Sequence, residues 1–171
     1  MGAPRPPTIF ESVMKTIEGQ HSAANLRFGI VAARFNGSLV DALISGAVET
    51  LEHHGALSDK ITLVRVPGSF EIPLACKALA QSHTVDAIIA LGVVIRGDTL
   101  HFELICNSAS DGITQASLET GLPIAHGIIA AEDRNQAIER TGGKLGNKGA
   151  EAALAAIEMA HVVRMAREGG E

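Results

Sequence analysis

The run GVVIRGDTLHF, Gly92 to Phe102, sets an arginine, a glycine, an aspartate, a threonine and a histidine directly after a stretch of apolar residues. Gly97 permits a tight turn at that point, and the backbone N–H groups around Asp98 and Thr99 stand where a helix starting near His101 would open. Such groups, with the positive end of a helix dipole behind them, hold a phosphate or a carboxylate. The same field, aided by Arg96 or another cation, favours a neutral imidazole at His101, the form a general base requires. A plainer reading stands beside this one. Asp98 or Thr99 is then an N-cap and His101 a solvated first-turn residue, since most helix starts bind no anion.

Two further junctions have the same polar character: Arg34-Phe35-Asn36 and Pro67-Gly68-Ser69-Phe70-Glu71. Phe35 at a strand end is ordinarily core, and Glu71 ordinarily a first-turn carboxylate that the helix dipole favours. Lys144 and Lys148 fall in GGKLGNKG. That segment lacks the GxxxxGK[ST] spacing of a nucleotide-binding loop, and its residues alone are consistent with solvated charges punctuated by glycine.

The elements that must position these residues are legible from periodicity. FGIVAA (28–33), ITLVRV (61–66), AIIALGVVI (87–95) and PIAHGIIA (123–130) are apolar on both faces, which predicts strands of a parallel sheet covered by helices on each side. Leu39, Leu43, Ala47 and Leu51 recur at helical spacing, as do Phe102, Ile105, Ala109, Ile113 and Ala116. EAALAAIEMAHVV, after Lys148, predicts a last helix on propensity. The expected fold is α/β, a three-layer α/β/α sandwich with a parallel, flavodoxin-like sheet. Ligands of such sheets bind outside the carboxyl ends of the strands, so the three junctions converge on one edge. Pro4, Pro6, Pro7 and the stretch GQHSAAN mark residues 1–24 as an N-terminal arm suited to docking on a neighbour, followed by a single domain over 25–171.

Composition narrows the function. A chain of 171 residues with 46% apolar content buries one core rather than two. A formal charge of -5, with no lysine- or arginine-rich run and neither tyrosine nor tryptophan, argues against nucleic acid or an anionic membrane as partner. A small molecule or another protein is expected instead. No apolar run suits a signal peptide or a bilayer span, which points to the cytoplasm. Cys76 and Cys106 form neither a CxxC pair nor a cluster with histidine, so a disulfide or a zinc site is not expected and both read as reduced core thiols.

RFN (34–36), VPGSFEIP (66–73), GVVIRGDTLHF (92–102) and QAIERTGGKLGNKG (136–149) occur in this order, and from about Arg27 to the last helix the chain resembles the lumazine synthases. The resemblance implies condensation of 5-amino-6-(D-ribitylamino)uracil with 3,4-dihydroxy-2-butanone 4-phosphate, without a metal or redox cofactor. It implies that Phe35 stacks on the pyrimidine, that Asn36, Ser69, Phe70 and Glu71 hold the ribityl chain and its surroundings, and that backbone at Val94 and Ile95 meets the ring edge. Phosphate would fall to Gly97, Asp98, Thr99 and Arg140 and to Arg96 beside them, proton movement to His101, and a pyrimidine contact to Lys148. It further implies a homo-oligomer, a pentamer with sites shared between adjacent subunits, in which Arg140 and Lys148 come from the neighbour of the subunit that supplies Phe35 and His101. Because TGGKLGNKG (141–149) shows no insertion, a sixty-subunit shell is favoured.

The chain departs from the commonest family pattern at His126, where phenylalanine is frequent near the ligand, and at Ala130-Ala131, where threonines are frequent. His126 is read either as a ligand-facing wall or as a structural histidine bonded to backbone. Two other functions stay open on sequence: an archaeal-type riboflavin synthase, disfavoured by the phosphate motif, and a non-catalytic flavin- or lumazine-binding or shell-forming scaffold.

Overall fold

The four apolar runs fold as strands β1 (Phe28–Ala33), β2 (Ile61–Val66), β3 (Ala87–Ile95) and β4 (Ile124–Ala131) in a computed structural model that describes residues 14–169. All pair in parallel, in the order β2-β1-β3-β4. The chain therefore reverses its direction of travel across the sheet between β1 and β3, the crevice in which flavodoxin-like sheets bind ligands.

Strand alternation divides the core in two. Phe28, Ile30, Ile89, Leu91 and Val93 pack against α1 (Gly37–His53), α5 (Lys148–Arg167) and, through Ala137, the short α4 (Arg134–Arg140). Val31, Ile88 and Ala90 pack on the other face against Ile72 and Cys76 of α2 (Ile72–Gln81) and Ala109 and Ile113 of α3 (His101–Thr120). This is a three-layer α/β/α sandwich. The apolar stripes expected on α1 and α3 are the buried ones, apart from Phe102 and Ile105, which are half-buried at the open end of α3.

Covering is uneven across the sheet. β1 is buried throughout, whereas in β2 Thr62, Leu63 and Arg65 are exposed, Leu63 by 49%. The expectation that every strand is covered on both faces therefore fails at β2. It is an edge strand, and the helices centre on β1 and β3; α1 reaches β2 through a surface ion pair, Asp41–Arg65 at 2.9 Å. Cys76 is a core thiol, and burial pushes it up to about 12, which makes it unreactive. Cys106 differs from expectation in being only half-buried, because it lies in the open first turns of α3, where Phe102 and Ile105 are half-buried too.

Of the arm, residues 14–24 lie among the described residues, and part of that stretch packs along α5 of its own chain. Ala23 is fully buried, and His161 of α5 donates from Nε2 to the Ser22 carbonyl at 2.7 Å. Arg164 lies 3.0 Å from His161 Nδ1. A guanidinium only donates, so Nδ1 is the acceptor and the tautomer is fixed. Residues 1–13, which carry Pro4, Pro6 and Pro7, and residues 170–171 lie outside the described residues. Among the described residues, no helix is long and apolar enough to cross a membrane.

Candidate active site

The three polar junctions meet at one cavity of about 600 Å³ at the carboxyl ends of β1, β2 and β3. Past β1 the ladder to β2 continues for two residues, Arg34 N donating to Val66 O (2.7 Å) and Phe35 N to Pro67 O (3.1 Å). Asn36 then turns the chain into α1 with φ 56, a left-handed conformation that asparagine tolerates better than most residues. Its side-chain amide donates to the Val93 carbonyl at 2.8 Å, binding the exit of β1 to β3. Phe35 is left projecting into the cavity, 71% exposed rather than core. Asn36 itself does not line the cavity; its donor is spent on the scaffold.

The second junction is a short 3-10 turn, Ser69–Glu71. The Glu71 carboxylate accepts from Gly68 N at 2.9 Å and closes the turn. Ser69 is buried, and its Oγ lies 2.5 Å from where a Cβ on residue 92 would stand, so any side chain at Gly92 of β3 would displace Ser69. Phe70, on the same turn, is 58% exposed at the cavity.

The third junction leaves β3 at Ile95, and α3 begins at His101, as expected. Leu100 occupies the N-cap position with no side-chain cap bond, so neither Asp98 nor Thr99 caps the helix; Thr99 Oγ1 only approaches His101 N at 3.4 Å. The first turn thus opens at the cavity without a side-chain bond from its N-cap residue. Val94, Ile95, Gly97, Thr99 and His101 line it; Asp98 is exposed and does not. Pro67, Gly68, Val93, Phe102 and Ile105 complete the wall without having been singled out. Ile105 was legible in principle, one helical turn after His101.

Arg96 does not join this set. Its Nε and Nη2 donate to Glu132 at 2.6 and 3.3 Å, its Nη1 pairs with Glu103, and its guanidinium stacks over Phe102 at 4.3 Å. Its side chain is committed to two carboxylates rather than to the cavity.

Arg140 and Lys148 line a second cavity, about 290 Å³, with Ile128, Ala130, Leu145 and Glu151. The two cavities share no residue. This one lies beside the outer, unpaired edge of β4. Arg140 closes α4 and donates from Nη1 to Gln136 O at 3.0 Å. Lys148 opens α5 and pairs with Glu151 at 2.9 Å. Glu151 was missed in the sequence, although its spacing of three from Lys148 puts both on one helix face. The glycine-rich segment between α4 and α5 folds as a small hairpin, β5 (Thr141–Gly143) and β6 (Gly146–Asn147). Asn147 then caps α5, accepting from Gly149 N at 2.8 Å and donating to Ala42 O at 2.9 Å. Gly149 abuts the Leu43 carbonyl so closely that no Cβ fits. The glycines and asparagine here fix where Lys148 stands.

His126 sits on β4, lines neither cavity, and its Nε2 lies 3.0 Å from Ser110 Oγ of α3. Its ring thus ties β4 to α3. Surrounding protein and then the Lys148 charge push its pKa below the ordinary histidine value, although part of the residue remains exposed.

The first cavity pairs aromatic and apolar walls with a histidine and a free helix start, which suits a planar heterocycle beside an anion. The second offers a guanidinium and an ammonium. In the comparisons with known proteins, the profile of the 6,7-dimethyl-8-ribityllumazine synthase family matches residues 25–164. Two proteins named 6,7-dimethyl-8-ribityllumazine synthase are similar over most of their length. The one from Aquifex aeolicus (strain VF5) is 53% identical over 154 residues, 90% of this chain and 100% of the relative. The one from Nitratidesulfovibrio vulgaris (strain DP4) is 53% identical over 150 residues, 88% of this chain and 96% of the relative. On the match along its length and on the order of its motifs, this chain belongs to the 6,7-dimethyl-8-ribityllumazine synthase family.

Proposed function

We propose that the chain condenses 5-amino-6-(D-ribitylamino)uracil with 3,4-dihydroxy-2-butanone 4-phosphate to 6,7-dimethyl-8-ribityllumazine, releasing phosphate and water, in the cytoplasm. The observation that carries this reading is the first cavity, where Phe35, the turn at Ser69–Glu71 and the start of α3 with His101 open onto one space. In this reading Phe35 stacks on the pyrimidine, Ser69, Phe70 and Glu71 flank the ribityl chain, and the Val94–Ile95 backbone meets the ring edge. The backbone of the Gly97–Thr99 loop and the start of α3 take the phosphate.

The site is completed by a second copy. Arg140 and Lys148 stand in a cavity of their own beside the open edge of β4, and a neighbour that docks this edge against the first cavity supplies the cations that cavity lacks. A closed ring, here a pentamer, repeats that contact without leaving a free end, and the short hairpin between α4 and α5 is compatible with further closure into a shell.

The reaction proceeds by imine formation between the 5-amino group and the ketone, loss of phosphate to an enol, tautomerisation, ring closure by the ribitylamine and dehydration. Holding the two substrates together makes the encounter effectively intramolecular. His101 moves a proton as a general acid–base group. A phosphate-first site disfavours the riboflavin synthase alternative, and the shared retention of Phe35, Glu71, His101, Arg140 and Lys148 disfavours a non-catalytic scaffold. Mixing the protein with both substrates and following lumazine fluorescence beside phosphate release tests the reading. Equal lumazine and phosphate above the uncatalysed rate are expected; no excess from a folded oligomer would refute it.

A further inference from the structure

We propose that Arg96 is a positioning residue for the substrate phosphate and not one of its ligands: it clamps the Gly97–Thr99 loop between the first turn of α3 and the turn joining β4 to α4. This rests on the reading above, in which that loop receives phosphate. Arg96 is the residue just before Gly97, and its backbone N donates to Ala131 O at 2.9 Å, carrying the β3–β4 pairing one residue beyond the strand. Its side chain then spans three elements. Two of its N–H groups go to Glu132, a third to Glu103, and its face lies on Phe102 at 4.3 Å.

Turning Arg96 toward phosphate would strip both carboxylates of their counter-charge, and Glu103 Oε2 is already buried with no hydrogen-bond partner. The loop, meanwhile, has little else to hold it. A Cβ built on Gly97 meets nothing within 4 Å, residues Gly97 to His101 are exposed, and the other side-chain bond there is the long 3.4 Å approach of Thr99 Oγ1 to His101 N. Glu132 immediately precedes Asp133, the N-cap of α4, whose last turn carries Arg140. One guanidinium therefore sets the phosphate loop of the first cavity against the helix that carries the arginine of the second.

The test compares Arg96→Gln, Arg96→Lys, Glu132→Gln and the double variant Arg96→Gln/Glu132→Gln, each checked for assembly and melting temperature. It measures KM for each substrate and, independently of turnover, calorimetric binding of inorganic phosphate. Arg96→Gln is expected to raise KM for the butanone phosphate and Kd for inorganic phosphate about tenfold while leaving KM for the pyrimidine within about twofold, because only the phosphate loop is displaced. Glu132→Gln should weaken phosphate in the same direction by about threefold, the double variant should be no worse than Arg96→Gln, and Arg96→Lys should recover part of the loss. A direct phosphate ligand predicts the opposite sign for Glu132→Gln, since the freed guanidinium would bind phosphate more tightly; that result overturns the proposal. So does an equal loss in every parameter with a lowered melting temperature, the mark of a merely structural role. If the wild type binds phosphate but forms no lumazine, the synthase reading fails, and the clamp is decided by the phosphate Kd values alone.

Discussion

The two cavities are built to opposite plans. The first grows from strand ends and backbone: Asn36 stapled to the Val93 carbonyl, Glu71 closing its own turn, and an uncapped helix start, with Phe35 and His101 set on that frame. The second grows from side chains on helix ends, Arg140 closing α4 and Lys148 opening α5, beside an unpaired strand edge. The first supplies shape and hydrogen bonds but no cation that faces inward, because Arg96 is committed to Glu103 and Glu132. The second supplies cations but only about half the volume. Of the two linings, one brings aromatic walls and a histidine and the other a guanidinium and an ammonium.

Removing charge from the second cavity gives the largest expected effect. Arg140→Ala should lower kcat/KM for the butanone phosphate by roughly a hundredfold or more, since charge-assisted hydrogen bonds contribute about 1.5–3 kcal/mol each. Arg140→Lys, which keeps the charge but loses the planar fork, should mainly raise KM for that substrate. Unchanged kinetics would take the second cavity out of the phosphate site. His101→Ala, in the first cavity, should slow kcat by about a hundredfold at most, the lower end of acid–base effects. Complete loss of turnover in a folded oligomer would show that positioning is not the main contribution.

His126 sharpens the contrast more gently. Its folded pKa lies below the ordinary value of 6.5, so the stability it contributes is present above about pH 6.5 and is lost as the pH falls through the lower folded value. His126→Phe should therefore abolish that part of the decline in melting temperature between pH 6.5 and 5; an identical decline would mean that another group titrates.

The smallest effect is expected far from both cavities. Asp86 accepts from Arg27 N at 2.7 Å and pairs with its guanidinium at 2.9 Å, before the amino end of the sheet. Burial alone would raise its carboxyl, but the Arg27 hydrogen bonds, the Arg27 charge and then that of Arg164 outweigh it and hold it below the usual range. A depressed carboxylate stabilises the fold above its unfolded pKa of about 3.9, and that contribution is lost as the pH falls through the folded value. Asp86→Asn should flatten the acid limb of the melting-temperature profile below about pH 4 while leaving both KM values unchanged, with the size limited by solvent screening.

Sequence carried the fold further than the site. Continuous apolar runs announced the strands within a residue, because a strand buried on both faces has no polar position to blur its ends. β2 was overread for the same reason: ITLVRV has the composition of a central strand, and only the order of pairing makes it an edge. Within the site, residues fixed by their immediate neighbours were legible, such as His101 at the start of α3. The partners of Arg96 were not, since they lie 7 and 36 positions away and residue type alone does not name them. The separation of Arg140 and Lys148 from the first cavity was expected only through the family resemblance, because a motif's order along the chain does not itself say which copy it serves.

Subunit mixing tests that division most directly. Gly97→Glu should repel phosphate from the first cavity without a steric clash, as nothing lies within 4 Å of its Cβ position, and Arg140→Glu should do the same in the second. Each variant alone should be inactive. Co-assembled in equal amounts, they should recover about a quarter of wild-type activity, the fraction of interfaces in a closed ring that join two intact halves. Recovery near that value is the predicted result; no recovery from well-mixed, correctly assembled oligomers would mean that each chain carries a complete site of its own.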